Sequence, residues 1–193
     1  MAANWQSTES FVVPQAIDET STVKKNPIGM IINARDISTQ PATGTGNNGQ
    51  ALGTGKFIYL VGAASTAAGD AVTYKLPDQT DLEGSTTRVL AGGSGGQIGG
   101  TIAVAMSANV ASQYGWYQIQ GNVVTTCVNG TAAGGPAYIG TVGAVTSTAA
   151  NSLGIVSSRV VLADGVGDLA DDFCLLHIDY PGVFTQVTLK QLS

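Results

Sequence analysis

Residues 113–127 read QYGWYQIQGNVVTTC, and the alternation inside this stretch decides the fold class. From Tyr114 to Gln120 large apolar and polar side chains trade places, and beyond Gly121 a second β-rich run, Val123-Val124-Thr125-Thr126-Cys127, begins. A period of two marks a strand, because successive side chains of extended backbone point to opposite faces. Tyr117 and Ile119 then share one face, the expected core face, while Trp116, Gln118 and Gln120 share the other. Trp116 can fill a core or cover a sheet edge or a neighbouring chain, since its indole keeps an N–H that needs an acceptor. The Gly121-Asn122 pair between the two runs predicts a hairpin turn.

Outward from this stretch the same texture recurs. Short β-rich runs separated by Gly, Pro and Asp appear at Ile28–Ala34, Phe57–Ala63, Asp70–Leu76, Thr86–Ala91, Thr101–Ala108, Ala137–Val145, Gly154–Ser157, Arg159–Ala163, Asp172–Tyr180 and Val183–Leu189. Pro181-Gly182 splits the last two and predicts a closing hairpin. Thr101–Gln113 also admits a helix, which Ala and Met favour and Val104 and Val110 oppose. Regular short strands predict an all-β protein, a jelly-roll-like sandwich or a small β-barrel.

The β-domain is expected at residues 56–193, and residues 1–55 are expected to form an N-terminal arm and flexible loop with one strand. Within residues 1–27 the large apolar groups include Trp5, Phe11, Val12 and Val13. Ordering ten such residues costs roughly 10–20 kcal/mol of backbone entropy, whereas burying those four side chains returns about 6–12 kcal/mol. The arm is therefore expected to be mobile until main-chain bonds to a neighbour order it, by β-addition of Ser10–Val13 to a strand edge. Trp5, Phe11, Val12 and Val13 are its candidate contact residues. Asp36–Gly55 has no periodic apolar face and reads as a long loop.

Composition narrows the function. Only 11% of the 193 residues are charged and Gly numbers 26, which disfavours long amphipathic helices. Net charge is −5 and the eight basic residues are scattered, so no basic patch suits a nucleic-acid backbone. No apolar run approaches the roughly 18 residues of a membrane-spanning helix, and the first residues lack the basic and apolar regions of a secretory signal. Synthesis in a reducing cytoplasm is expected, with Cys127 and Cys174 as buried thiols. The scarcity of charge in Thr101–Ala105 and Ala137–Val145 predicts a homo-oligomer, a trimer before a dimer, joined through these Gly- and Ala-rich strands.

Reactive constellations are weak. The run GGSGGQIGG (92–100) lacks the Lys-Ser/Thr of a nucleotide loop and reads as a connector. His177 is the single histidine and Asp179 shares its strand face, yet a nucleophile in a recognisable elbow is missing. Asp164, Asp168, Asp171 and Asp172 form an oxygen-rich cluster whose spacing matches no EF-hand, and it reads as a solvated loop. One histidine and two distant cysteines fall short of a zinc site. Asn129-Gly130-Thr131 matches a glycosylation sequon by pattern only. No catalytic residue, cofactor or metal is expected.

The succession AGDAVTYKL, GGQIGGTIAVAMSANV, QYGWYQIQGNVVTTCV, GGPAYIGTVGAV and SLGIVSSRVVLADG resembles the capsid decoration, or cement, proteins of tailed bacteriophages. The likeness spans roughly residues 68–165 and centres on the Tyr-Gly-Trp-x-Gln-x-x-Gly strand. It implies a structural virion protein on the outer face of the assembled head, an oligomer that bridges major capsid protein subunits with help from an extended arm. Other virion β-modules share this phrasing, so a tail or fibre module that binds host carbohydrate is the second expectation.

Overall fold

The structure is a computed structural model that describes residues 5–8, 14–37, 52–79, 84–88, 101–148, 154–163, 165, 169, 172–181 and 183–184. It is all-β. The strands are β1 (Trp5–Ser7), β2 (Ile31–Asp36), β3 (Thr54–Val61), β4 (Ala71–Lys75), β5 (Ser85–Arg88), β6 (Thr101–Ala105), β7 (Tyr114–Thr126), β8 (Pro136–Thr141), β9 (Ala144–Thr146), β10 (Gly154–Leu162), β11 (Phe173–Asp179) and β12 (Val183–Phe184). All belong to one sheet, whose main path runs β1-β2-β3-β7-β11-β10-β8-β9.

The stretch that decides the fold is one strand of 13 residues, not a hairpin. A two-residue hairpin turn of the Asn-Gly kind needs positive φ at both central positions, but of this pair Gly121 alone has it, at +105°. The register opposite is broken, since Phe57 pairs with Gln118 and Lys56 with Gln120, which leaves Ile119 as the extra residue of a bulge. Gln118 braces the bend by donating from Nε2 to the carbonyls of Gln120 (3.0 Å) and Asn122 (2.9 Å). The strand therefore bends where it changes neighbours. β3 holds one edge from Tyr114 to Gln120, while the other edge passes from β6 at Tyr117 and Gln118 to β11 from Gln120 onward.

Two lobes result, and β7 is a wall of both. In the first, Thr86 Oγ1 donates to the carbonyl of Val61 (2.8 Å) and draws β5 towards β3, so β3, β7, β6, β4 and β5 surround Ile58, Leu60, Val72, Ala103, Ala105, Tyr117 and Ile119. In the second, a bridge between Cys127 and Val145 and a bond from Val128 N to Val145 O (2.8 Å) bring β9 to the end of β7. The core there includes Val123, Cys127, Ile139, Val145, Val160, Cys174 and Leu176. β4 and β6 separate the cores, with Ile102 and Val104 facing the second and Ala103 and Ala105 the first. Burial on both faces explains the unbroken apolar run Ile102–Ala105, and the β-branched Ile102 and Val104 suit a strand better than a helix.

Two further expectations are corrected. β12 pairs with β10 at Gly154 and Ile155 instead of closing a hairpin with β11, because both edges of β11 are occupied by β7 and β10. The run Ala137–Val145 is two strands, β8 and β9, which pair with each other. Among the described residues neither β6 nor β8 offers an open edge, since β6 lies between β4 and β7 and β8 between β10 and β9. The boundary at 55/56 falls inside β3, and β2 of the supposed arm is its direct neighbour.

The stretch read as a free arm also supplies core. Gln15 is 1% exposed and Ile17 joins Ile32, Ala34, Phe57, Tyr59 and Trp116 on the outer face of β2, β3 and β7. Trp116 Nε1 donates to Gln15 O (3.1 Å), Tyr59 Oη donates to Gln15 Oε1 (2.7 Å), and Gln15 Nε2 donates to Tyr114 O (2.9 Å). Ser21 and Tyr114 exchange main-chain bonds of 3.0 and 2.8 Å. These hydrogen bonds hold residues 15–21 against the protein's own β7, whereas Ser10–Val13, the segment expected to add to a strand edge, lies outside the described residues. β1 likewise adds to β2, and half-buried Trp5 packs edge-on against Phe57 with ring centres 4.8 Å apart. Phe11, Val12 and Val13 lie outside the described residues.

An ion pair with a buried carboxylate holds β5 beside the start of β4, next to the contact between the lobes. Asp70 Oδ2 accepts from Arg88 Nε on β5 (2.7 Å) and from Ala67 N (2.8 Å), while the main chain of Ala71 bonds to Gly143 O (2.8 Å) in the β8-β9 turn. Burial also pushes the Tyr117 hydroxyl up to about 12, a rise that the side chains of Thr86 and Asn109 offset in part. A group that holds its proton more tightly when folded stabilises the fold fully below the unfolded value of 10 and loses that contribution as pH climbs towards about 12. The expected result is stability that falls by up to about 1.4 kcal/mol per pH unit across this window from Tyr117 alone. Tyr59 and Tyr74, also raised by burial, steepen the fall. Urea unfolding at stepped alkaline pH checks this, with Tyr117→Phe giving the flatter profile.

Candidate functional site

At the bend of β7 the sheet carries an open polar depression of about 330 Å³. Its registry follows from the pairings already given. Asn33 on β2 stands opposite Lys56 on β3, Lys56 opposite Gln120 on β7, and Gln120 opposite Asp179 on β11, so four polar side chains form one row across four strands. A second row, Asn122, His177 and Arg159, runs beside it on β7, β11 and β10. Strands about 4.8 Å apart set the spacing within each row. The floor is bare because Gly55 and Gly121 meet there. A Cβ on Gly121 would lie 2.6 Å from Thr54 O, and one on Gly55 would lie 3.0 Å from Gln118 Nε2.

Several groups are held in place. Gln120 Nε2 donates to Asp179 Oδ1 (3.0 Å), His177 Nδ1 lies 2.9 Å from Asn122 Oδ1, and Lys56 Nζ donates to Tyr180 Oη (3.0 Å). The Lys56 ammonium also sits 5.3 Å from the centre of the half-exposed Tyr180 ring. The row thus carries one positive and one negative side chain, Lys56 and Asp179, with Gln120 between them.

His177 and Asp179 come together here, but not as parts of a triad. A triad needs the histidine Nδ1 oriented by a carboxylate, and that nitrogen faces Asn122 while Asp179 is engaged by Gln120. Asp164, Asp168 and Asp171 and the glycine run 92–100 lie outside the described residues. Asp172 has φ +69° and its carbonyl accepts from Cys127 N (2.8 Å). Among the described residues no group of three His, Cys, Asp or Glu side chains is placed to hold a metal. Cys127 and Cys174 are both buried and not joined in a disulfide. No helix among the described residues is long and apolar enough to cross a membrane.

Asn33, Lys56, Gln120 and Asn122 escaped the sequence reading. Each occupies a polar position of an alternating strand, which looks like any solvated face until the register of β2, β3, β7 and β11 is known. No family model, curated protein or solved structure matches the chain.

Proposed function

We propose that this chain is a structural virion protein that binds the outer surface of an assembled tailed-phage capsid and stabilises it by bridging major capsid protein subunits. The observation that supports the reading most is the place of the phrase that carries the resemblance. Tyr114–Gly121 belongs to the strand shared by both lobes, so the likeness falls on the element that sets the architecture and not on an interchangeable surface loop. The proposed role needs no bond-making side chain. It also gains from repetition, because a second contact made by an already tethered molecule forms at high effective concentration.

Association of the protein with itself, if it accompanies capsid binding, does not proceed by adding a strand to β6 or β8, whose edges are already paired. Exposed apolar side chains such as Ile31, Leu76 and Val142 are available for contacts of either kind. Electron microscopy of heads with and without the protein tests the reading. Added density on the exterior at symmetry axes is the expected result, and density confined to the tail would overturn it.

A further inference from the structure

We propose that the depression at the bend of β7 binds a neutral saccharide. This goes beyond the capsid reading and does not rest on it. The volume of about 330 Å³ is at the small end of ligand sites, so the ligand is a small unit or the end of a longer chain.

The functional groups decide its class. Of the lining side chains, Asn33 and Gln120 each carry both donors and an acceptor, Asp179 only accepts, and Lys56 only donates. An anion such as phosphate, which accepts, would gain Lys56 but meet the Asp179 carboxylate two strands away in the same row. A cation would meet Lys56, with Arg159 in the adjoining row. An apolar ligand would bury Lys56 and Asp179 with little to compensate them. A hydroxyl-rich neutral molecule both donates and accepts and fits the mixed row without a charge penalty. Tyr180, 51% exposed at the rim beside Lys56, adds aromatic surface for the C–H face of a sugar ring.

The site is preorganised. Gln120 and Asp179 are already bonded to each other, and the glycine floor is fixed by the bulge. Little ordering remains to be done on binding, which favours measurable though weak affinity in so open a site.

The test is a titration of the full-length, isotope-labelled protein by NMR with glucose, galactose, mannose and N-acetylglucosamine in turn, and with inorganic phosphate as the anionic arm. The expected result is saturable shifts of the amides of Lys56, Gln120, Gly121, His177 and Asp179 with at least one sugar. Asp179→Ala and Gln120→Ala should each weaken that binding about tenfold, and their melting profiles show whether they remain folded. Lys56→Gln, which keeps the length and removes the charge, gives a second variant should either of these fail to fold. Shifts produced by phosphate and by none of the sugars, saturable shifts on another face, or no shift at all would overturn the proposal. Capsid binding by the same variants should be unchanged, so failure here leaves the virion reading standing on its own test.

Discussion

Trp116→Ala is expected to cost about 3–5 kcal/mol, a large share of the 5–15 kcal/mol that typically holds a domain folded. The indole is fully buried, packs edge-on against Tyr59 with ring centres 5.0 Å apart, and donates to the Gln15 carbonyl. Its removal leaves a cavity and an orphaned acceptor together. Urea unfolding gives the measurement, and Trp116→Phe, which keeps most of the packing and loses the hydrogen bond, should fall between the variant and the parent. Deletion of residues 1–27 should be comparably damaging, since it uncovers Trp116 and removes the partners of Tyr59 and Tyr114. The two changes delete the same contact, so together they should cost less than their sum. A truncated protein that melts like the full chain would show that residues 14–26 are not docked on the sheet.

Gly121→Ala is expected to cost about 4 kcal/mol, from a left-handed backbone and from overpacking acting together. With φ at +105° and a Cβ only 2.6 Å from the Thr54 carbonyl, the neighbour that would have to yield is main chain on the adjoining strand. Gly53→Ala provides the comparison, because Gly53 also has positive φ, at +78°, yet nothing lies within 4 Å of its Cβ position. That variant should lose only the conformational part, about 1 kcal/mol. Calorimetry on the pair separates the contributions. Equal melting of the two variants would mean that β7 does not bend against β3 at this glycine.

The all-β class was legible because Tyr117 and Ile119 on β7, like Ile58 and Leu60 on β3, share a face by the period of two, although where single strands begin and end was not. What lay beyond reach was partner choice. Gly121-Asn122 has the residues of a turn, and only the neighbours of β7 reveal that one glycine bends the strand while Asn122 continues it. Trp116 could be assigned to a face but not to a partner, since its acceptor is Gln15, 101 positions away in the sequence. The same limit hid the polar depression, whose rows exist only once four strands are in register. Gln15 is the most instructive miss. A polar residue in a polar stretch gives no sign of burial, yet its side chain and carbonyl satisfy three separate partners on β3 and β7.

The shared strand has a mechanical consequence. β7 is held along its first half by β3 and along its second by β11, both antiparallel to it, so tension applied along β7 is resisted by many hydrogen bonds in shear at once and cannot peel them one at a time. Neither lobe can yield without pulling apart the wall of the other. Tension along β7 should therefore give a single rupture with no halfway extension.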